Sequence, residues 1–400
     1  LASTPIAFCA KSAQLRASRA VVTEVRALAT IAATAATVAA FAAPAQAAKL
    51  SPTFFGVMAN GPLDAPGVDL AKEGAVMRAS GVGTIRLPVQ WPQLQPYASF
   101  DQIPESAHQY FTNVGGIPTD FSTTDAQIAA AARNKIDVTA LVLRSPAWAA
   151  LKPSEVFSPP RQPAAYGRFL KTLIGRYGPK GSFWPANPSL PKRPLRNFQI
   201  WNEPSLSRYF TVKPWAPAYA KLLRASYTAV KAADPGAKVI TAGLPNFSWR
   251  DYATLFKSGM KARGYFDAVA VHPFTGTASG SVKILGYVRA VLDANGARKT
   301  PLWVTEISWP SGRGKADANQ GWVTTEAGEA VKVDQVYRAY GRSAARLKLA
   351  RAYWYNWVSS DSGSQDAFEY AGLRRVAADG SFADKPALGA YRKVARALTR

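Results

Sequence analysis

Short apolar segments and longer amphipathic segments alternate along the chain from residue 54 onward. The short segments are rich in β-branched and aromatic residues, as is typical of strands, and the longer ones carry apolar residues at helical spacing. The pattern predicts eight strands, over residues 54–59, 84–91, 138–145, 197–202, 238–244, 268–272, 302–307 and 352–358. A helix is predicted after each strand, for example over 126–135, 164–177, 217–233 and 326–347.

Strands that alternate regularly with helices are typical of α/β proteins with a parallel sheet. Eight such units predict a closed (β/α)8 TIM barrel in a single domain, with functional side chains at the carboxyl ends of the strands. The alternative is an open doubly wound sheet, which favours a glycine-rich phosphate turn after its first strand, and residues 54–60 have no such turn. Of two long connections, 92–122 is expected to shape a cleft on the catalytic face, and 179–196 is expected on the opposite face.

The N-terminal segment has the pattern of a secretory signal. Basic residues precede an uncharged run over 27–43, and Ala45-Gln-Ala47 then supplies the small residues that a signal peptidase accepts. The alternative is a membrane anchor, but the run is short and contains threonines. We therefore expect a signal peptide over 1–47, a barrel domain over 48–400, and a secreted or periplasmic protein.

Composition excludes several kinds of site. Cys9 is the only cysteine and there are two histidines, so a disulfide scaffold, a thiolate zinc site and a multi-histidine metal centre are excluded. Phosphate-binding and dinucleotide-binding glycine motifs are also missing from the sequence, and we expect neither a metal nor an organic cofactor. Aromatic residues make up 11% of the chain, which suits a core, a nucleic-acid surface or a sugar-binding cleft.

Two glutamates end predicted strands. The apolar fourth strand ends in Asn202 and Glu203 before a proline, and the apolar seventh strand ends near Glu306. Because a charged side chain at the end of a buried strand is unfavourable unless it faces a cleft, both glutamates are expected at the mouth of the barrel. Two carboxylates that face one cleft are what glycoside hydrolysis requires, with one protonated and one ionised.

The segments around these glutamates resemble clan A glycoside hydrolases, in particular the retaining enzymes of families 5 and 39. Trp201-Asn-Glu-Pro204 is similar to the strand-four motif of that clan, and Thr305-Glu306 to its strand-seven motif. The resemblance implies that Glu203 is the general acid/base and Glu306 the nucleophile. It also implies that Asn202 hydrogen-bonds the sugar 2-hydroxyl.

Two further polar residues acquire roles from the same resemblance. Residues 85–91 look like the strand-two arginine motif, which implies that Arg86 lies beside the nucleophile and keeps it ionised, although an ordinary salt bridge is the alternative. His272 ends the sixth strand, where the clan often has a histidine that touches substrate or nucleophile; a buried structural histidine is the alternative. Phe274 and Arg144 stand where family 5 usually has a tyrosine and a histidine, which favours a family 39-like or more distant member.

Tryptophans near strand ends are candidates for sugar stacking, because sugar C–H faces pack on aromatic rings. Trp357 resembles the clan tryptophan that forms the floor of the subsite for the reacting sugar, with Trp354 as the alternative if the strand register differs. Trp91, Trp148 and Trp309 are candidates for flanking subsites, and core packing is the alternative for each.

Basic residues dominate the charge of the chain, with 49 Lys and Arg against 25 Asp and Glu, a net charge of +24. Arginines recur every fourth residue from Arg338 to Arg346 and from Arg392 to Arg400, which places each set on one helical face. These faces are interpreted either as solvated surfaces or as sites of weak electrostatic association with anionic envelope polymers. Nucleic acid is not expected, because the basic residues are dispersed, and a monomer is expected.

The sequence thus predicts a secreted retaining glycoside hydrolase that cleaves an O-glycosidic, β-linked bond in an oligo- or polysaccharide. This prediction requires about 5–5.5 Å between the carboxyl groups of Glu203 and Glu306. Two alternatives remain: a non-catalytic carbohydrate-binding or envelope barrel, and a transglycosylase with the same site.

Overall fold

The barrel strands are short and almost entirely buried, as expected for strands covered on both faces. The computed structural model of the protein describes residues 49–317 and 322–400; the predicted signal peptide and its cleavage site lie outside them. The strands are β1 (Phe55–Met58), β2 (Thr84–Gln90), β3 (Thr112–Val114), β4 (Ile117–Thr119), β5 (Asp137–Leu143), β6 (Asn197–Ile200), β7 (Lys238–Ile240), β8 (Leu244–Pro245), β9 (Val269–His272), β10 (Leu302–Ile307), β11 (Leu349–Trp354), β12 (Val358–Ser359), β13 (Arg374–Val376) and β14 (Phe382–Asp384).

One parallel sheet runs through the molecule and closes on itself. Its order is β7-β6-β5-β2-β1-β11-β10-β9-β8. β7 and β8 are two segments of the same strand position, and a parallel bridge between Ile240 and Ala268 joins β7 to the start of β9. The sheet therefore has eight strand positions in sequence order, and the predicted (β/α)8 barrel is confirmed. β3–β4 form a separate hairpin, and β12–β14 form a small sheet.

The helices cover the outside of the barrel with one apolar face each. They are α1 (Leu70–Ala79), α2 (Trp91–Leu94), α3 (Ser122–Arg133), α4 (Pro163–Tyr177), α5 (Phe183–Ala186), α6 (Trp215–Ala233), α7 (Ser248–Lys257), α8 (Ala278–Ala294), α9 (Glu326–Leu347) and α10 (Pro386–Thr399). Short 3-10 helices span Pro52–Phe54, Gly61–Asp64, Phe100–Gln102, Glu105–Tyr110 and Ala367–Tyr370. Within 49–317 and 322–400, no helix combines the length and apolar character needed to cross a bilayer.

All eight predicted barrel strands are present, but the last one is displaced. β11 begins at Leu349 and ends at Trp354, whereas the predicted strand ran over 352–358. The main chain turns away after Trp354, and Val358 pairs with Arg374 in the small sheet instead of with the barrel. The apolar run continues across this turn, so hydrophobicity alone extended the predicted strand too far.

Polar side chains fill much of the barrel interior. Tyr353 lies inside, where its hydroxyl hydrogen-bonds Thr139 at 2.8 Å and Thr84 at 3.2 Å. Gly56 gives it room, because a Cβ there would lie 2.4 Å from the Tyr353 ring. Arg86 and Gln199 are fully buried above this layer, nearer the carboxyl ends of the strands.

Candidate active site

A cleft of about 670 Å³ opens at the carboxyl ends of the barrel strands, within the size range of small-molecule sites. Loops after β1, β5, β6, β8, β9, β10 and β11 supply its walls, and Asn202, Glu203 and Glu306 line it. No residue of 92–122 lines the cleft itself, but Gln93 and Leu94 border an adjoining cavity that shares Asp64, Pro88 and Gln90 with it. The 92–122 segment folds mainly into 3-10 turns and the β3–β4 hairpin.

A bulge near the end of β10 accompanies the placement of Glu306. Val304 pairs with Ala352 and Ile307 pairs with Trp354, so three steps along β10 match two along β11. The extra residue breaks the alternation of faces, as β-bulges do, and re-aims the adjacent side chains. Thr305 remains inside, 3.3 Å from Gln199 Nε2, while Glu306 reaches the cleft with 7% of its surface exposed.

Glu203 follows β6 in an irregular backbone segment. Trp201 and Glu203 both have positive φ angles, 69° and 42°, and the Glu203 backbone N–H donates to Gly243 O at 3.1 Å. The Glu203 side chain is 7% exposed and lines the cleft. One of its carboxylate oxygens lies within 4.8 Å of one from Glu306.

His272 lies between the two carboxylates. Its Nδ1 is 2.8 Å from Glu203 Oε1 and 3.5 Å from Glu306 Oε2. The imidazole is fully buried, and this burial lowers the pKa of His272 to about 3, so the ring is neutral near neutral pH. Gly243 provides the space for it, because a Cβ at that position would lie 1.9 Å from His272 Nε2.

Arg86 is fully buried below the cleft and is held on three sides. It donates to Glu306 Oε1 at 2.5 Å, to Asn202 Oδ1 at 2.8 Å and to Gln199 Oε1 at 2.6 Å. One guanidinium thus fixes the positions of Glu306 and Asn202 relative to each other, as the planar donor fork of arginine allows. The structure therefore places Arg86, Asn202, Glu203, His272 and Glu306 together.

The two glutamates are equally buried, each 7% exposed, but their neighbours differ. Burial raises the pKa of Glu203 to about 7, against smaller opposing effects of Arg208 and Arg86. Glu306 instead has Arg86 directly against it. One carboxyl group that holds its proton near neutral pH beside a second that is paired with a cation is the arrangement that acid-assisted displacement requires.

Glu203, His272 and Glu306 could also form a metal site by composition, since their ligand atoms all lie within 4.8 Å of one another. The Arg86 guanidinium already neutralises Glu306 from below. A divalent cation at Glu306 would have to bind beside that charge, which opposes it.

The tryptophans near strands seven and eight lie in the core. Trp357 is fully buried and its indole donates to Glu73 Oε2 at 2.9 Å, which corrects its predicted role as the subsite floor. Trp354, the alternative floor, donates to Ala371 O at 2.9 Å, and Trp309 packs beside it with ring centroids 6.3 Å apart. None of the three is among the lining residues of the cleft.

The two remaining tryptophans lie near α4, away from the glutamates. Trp91 is buried and stacks on Phe169 at 5.4 Å. Trp148 is half-buried, donates to Gln95 O at 2.9 Å and borders a separate cavity. Trp91 therefore belongs to the core, which is the alternative interpretation given above. Neither Trp91 nor Trp148 lines the cleft.

Other aromatic residues do line the cleft. Phe368 is central to this group, with ring centroids 5.1 Å from Trp322, 5.2 Å from Tyr355 and 5.4 Å from Phe274. Sequence reasoning missed Trp322, Tyr355 and Phe368 because they lie in loops beyond the strand ends. Only Tyr355 carried a signal, since it directly follows the eighth strand as the structure has it.

The sequence matches no family model and no curated protein. Solved structures are similar to the chain in three dimensions: a family 39 glycoside hydrolase from Bacteroides cellulosilyticus (TM-score 0.61, 18% identity), a family 51 α-L-arabinofuranosidase from Bifidobacterium longum (0.57, 12%) and a GH5 protein from Streptomyces cattleya bound to GlcNAc (0.57, 19%). The chain shares the (β/α)8 barrel fold of these three proteins.

These matches cover 87%, 88% and 88% of the chain, respectively. They cover 64%, 74% and 81% of the matched chains, so the chain spans less than two thirds of the family 39 protein's length. The structural neighbours include proteins of families 39 and 5, and the chain has the fold that its resemblance to those families predicts.

Proposed function

We propose that the protein is a retaining glycoside hydrolase that cleaves an O-glycosidic, β-linked bond in an oligo- or polysaccharide. The observation that carries the proposal is the pair of buried glutamates in the cleft, with carboxylate oxygens within 4.8 Å of each other. Carboxyl groups about 5–5.5 Å apart favour direct attack by one carboxylate, whereas inversion needs about 6.5–9.5 Å to admit a water. Oxygens within 4.8 Å of each other support the closer arrangement.

In the first step, Glu306 attacks the anomeric carbon while the bond from that carbon to the leaving oxygen breaks. Glu203 gives its proton to that oxygen, so the leaving sugar departs as a neutral alcohol and a glycosyl ester forms on Glu306. In the second step, the ionised Glu203 takes a proton from water, whose oxygen attacks the anomeric carbon and displaces Glu306. The two inversions give net retention.

The neighbouring residues have positioning roles in this scheme. Arg86 holds Glu306 and Asn202 through separate nitrogens, which leaves the Asn202 side-chain NH2 group available for a sugar hydroxyl. Neutral His272 contacts both carboxylates and fixes their orientation without adding a charge. The loop aromatics around Phe368 offer apolar faces for sugar stacking.

Export belongs to the same proposal and is supported by the sequence pattern of residues 1–47. A polysaccharide substrate outside the cytoplasm would agree with it. The basic helical faces on α9 and α10 support weak association of the protein with anionic envelope polymers.

Mechanism-based trapping tests the proposed chemistry. We expect a panel of activated 2-deoxy-2-fluoro-β-glycosides to add one glycosyl mass to the protein, with the label on a peptide that contains Glu306. Glu306→Gln should take no label. Glu105→Gln, at an exposed carboxylate outside the cleft, is the matched control and should label like the wild type.

Turnover supplies the second part of the test. Removing the nucleophile or the acid/base should lower polysaccharide hydrolysis by about 10²–10⁴-fold or more. If wild type, Glu203→Ala and Glu306→Gln release reducing ends at one rate, the assigned pair is wrong. Equal oligosaccharide binding by wild type and Glu306→Gln without turnover by either would identify a non-catalytic binding barrel.

A further inference from the structure

Two arginines on one wall of the cleft form no ion pair with an acid in the described part of the chain. Arg144 directly follows β5 and Arg208 lies in the loop after β6, and both line the cleft with the two glutamates. Neither forms an ion pair with any residue in 49–317 or 322–400, whereas Arg86 and Arg374 each pair with a buried glutamate. The Arg144 Nε is buried and makes no hydrogen bond within those ranges.

The two arginines belong to one continuous structure, here called the arginine wall: Arg144, Phe157, Arg208 and Tyr209. The Arg144 guanidinium lies 4.7 Å from the Phe157 ring centroid, and that of Arg208 lies 4.6 Å from the Tyr209 ring centroid. The two rings meet edge to face at 5.2 Å. Such stacking holds a guanidinium plane in place while its N–H edges stay free to donate.

The backbone also keeps this wall in place. The Thr211 N–H donates to Phe157 O at 3.4 Å, which joins the loop after β5 to the loop after β6. The Trp201 indole, fully buried in the core, donates to Tyr209 O at 2.6 Å. The wall is therefore attached to the strand that presents Glu203.

Charge is distributed unevenly around the cleft. The arginine wall comes from strand positions three and four, whereas Asp64, Asp317 and Asp366 enter from the loops after β1, β10 and β11. Arg144 and Arg208 follow neighbouring strand positions, three and four, and no cleft-lining aspartate follows either of these strands. Two cations therefore lie on the Glu203 side of the cleft, and Arg208 is close enough to lower the pKa of Glu203.

A half-buried guanidinium without an acceptor is unfavourable, since each unmade hydrogen bond of a charged group leaves a desolvation penalty. A bound ligand that supplies an anionic acceptor removes that penalty. Carboxylates match the arginine fork with two parallel N–H···O bonds, and uronic acids carry a carboxylate in place of a neutral hydroxymethyl group. The net charge of +24 also favours the approach of polyanions.

We propose that the substrate is an acidic saccharide, and that Arg144 and Arg208 bind a uronate carboxylate on the Glu203 side of the cleft. This inference rests on the proposed function for the site, and it names the substrate class that the cleft selects. Binding at the arginine wall does not depend on turnover, so the two proposals can fail separately.

The test compares acidic oligosaccharides with their own neutral forms. The probes are β-1,4-linked oligoglucuronate and oligomannuronate of four to six sugars. Each probe is compared with its carboxyl-reduced counterpart. Binding is measured calorimetrically on the full chain carrying Glu306→Gln, which prevents hydrolysis. We expect at least one acidic probe to bind about ten-fold or more tightly than its reduced form, and the preference to shrink as salt rises.

Substitutions in the arginine wall test whether its arginines cause the preference for acidic probes. Arg144→Gln and Arg208→Gln, each in the Glu306→Gln background, should reduce the acidic-to-neutral affinity ratio by about ten-fold each. Arg144→Lys keeps the charge but lacks the planar donor fork of arginine. Its acidic-to-neutral affinity ratio should lie between that of Arg144→Gln and that of the Glu306→Gln parent. Arg250→Gln is the matched control, because Arg250 also stacks on an aromatic ring, Phe247 at 4.9 Å, but does not line the cleft.

Each outcome decides the proposal. If no acidic probe binds better than its reduced form, or if Arg250→Gln lowers the ratio as much as the wall variants, the inference is overturned. If Arg144→Gln fails to fold, the Arg208→Gln variant provides the test alone, because Arg208 is exposed. If the acidic probes bind tightly but the wild type does not hydrolyse them, the proposed enzyme activity is rejected. The arginine wall would then still be supported as a carboxylate-binding site.

Discussion

Several residues at the mouth of the barrel have backbone conformations that side chains other than glycine rarely adopt. Arg144, Trp201 and Glu203 have φ angles of 63°, 69° and 42°. Each such residue costs about 1–3 kcal/mol, and such strain concentrates at functional sites. Arg144 directly follows β5, Trp201 directly follows β6, and Glu203 comes two residues after Trp201. The strain therefore accompanies the turns that bring Glu203 and the arginine wall to the cleft.

The pKa of Glu203 predicts how activity depends on pH. Because Glu203 acts first as an acid and has a pKa of about 7, kcat/KM should fall as pH rises above about 7. Glu203→Gln should remove this alkaline limb together with most of the activity. A pH–rate profile on an activated aryl glycoside checks it; an unchanged alkaline limb in the variant would assign the titration to another group.

Glu203 should also make stability depend on pH. Between its ordinary value of 4.5 and about 7, the folded protein keeps a proton that the unfolded chain releases, so the free energy of unfolding falls as pH rises. Glu203→Gln should cancel this fall, and its stability relative to wild type should rise by up to about 3 kcal/mol between those pH values. Denaturant titrations at pH 4.5 and pH 8 measure the difference.

Gly243 is predicted to be essential for the position of His272. In Gly243→Ala, the new Cβ would lie 1.9 Å from His272 Nε2, so the imidazole must leave its position beside the two glutamates. We expect a loss of about 1–3 kcal/mol in unfolding free energy and a fall in kcat/KM. Gly286→Ala in α8 is the control, because a Cβ there meets nothing within 4 Å, and it should be neutral or stabilising.

At the scale of elements, irregularities in two strands set the site. The bulge in β10 changes which face its last residues occupy, and β6 stops at Ile200 so that the chain can turn before Glu203. The surrounding helices are regular, and several begin at a side-chain cap. α1 is an example: the Asp69 side chain accepts from the backbone N–H groups of Ala71 and Lys72, both at 3.0 Å.

Removing this cap should weaken α1 measurably. Asp69→Ala leaves two N–H groups of the first turn without a protein acceptor and removes a negative charge from the helix N-terminus, at a cost of about 1 kcal/mol. Thermal unfolding should show a lower Tm with unchanged folded-state circular dichroism. Glu105→Ala, an exposed acid whose side chain caps no helix, should leave Tm within error.

At the scale of the whole molecule, the last helix covers the seam where the barrel closes. β1 pairs with β11, joining the first and last strand positions, and α10 packs over this pair and against α9. Tyr391 of α10 is fully buried, 5.2 Å from the ring of Tyr337 and 6.1 Å from that of Phe55. Closure therefore depends on contacts between opposite ends of the described chain.

Truncating the aromatic ring at this seam should destabilise the entire barrel. Tyr391→Ala removes a buried ring and should cost about 3–5 kcal/mol in unfolding free energy. Tyr391→Phe removes only the hydroxyl that donates to Gly56 O at 3.2 Å, and should cost about 1 kcal/mol. Tyr287→Ala, at a tyrosine 42% exposed, is the control; an equal effect there would show that α10 does not secure the seam.

The sequence by itself determined the repeated βα pattern, and with it the barrel, because burial on both faces forces strands to be apolar and helices to be amphipathic. It also located Glu203 and Glu306, since a charge at the end of an apolar strand is tolerated only at an opening. The helix predicted over 326–347 agrees with α9 at both ends, where a threonine cap precedes Glu326.

Only the tertiary structure decided what surrounds the two acids. Trp357 and Trp354 satisfy their indole N–H groups in the core, while Trp322 and Phe368 reach the cleft from loops that no periodicity describes. The bulge in β10 and the contact of Phe157 with Tyr209 depend on segments far apart in sequence. A charged residue at the end of an apolar strand can be recognised from the local sequence. A cleft wall is formed by several loops, and the contacts between those loops are determined by the closure of the barrel.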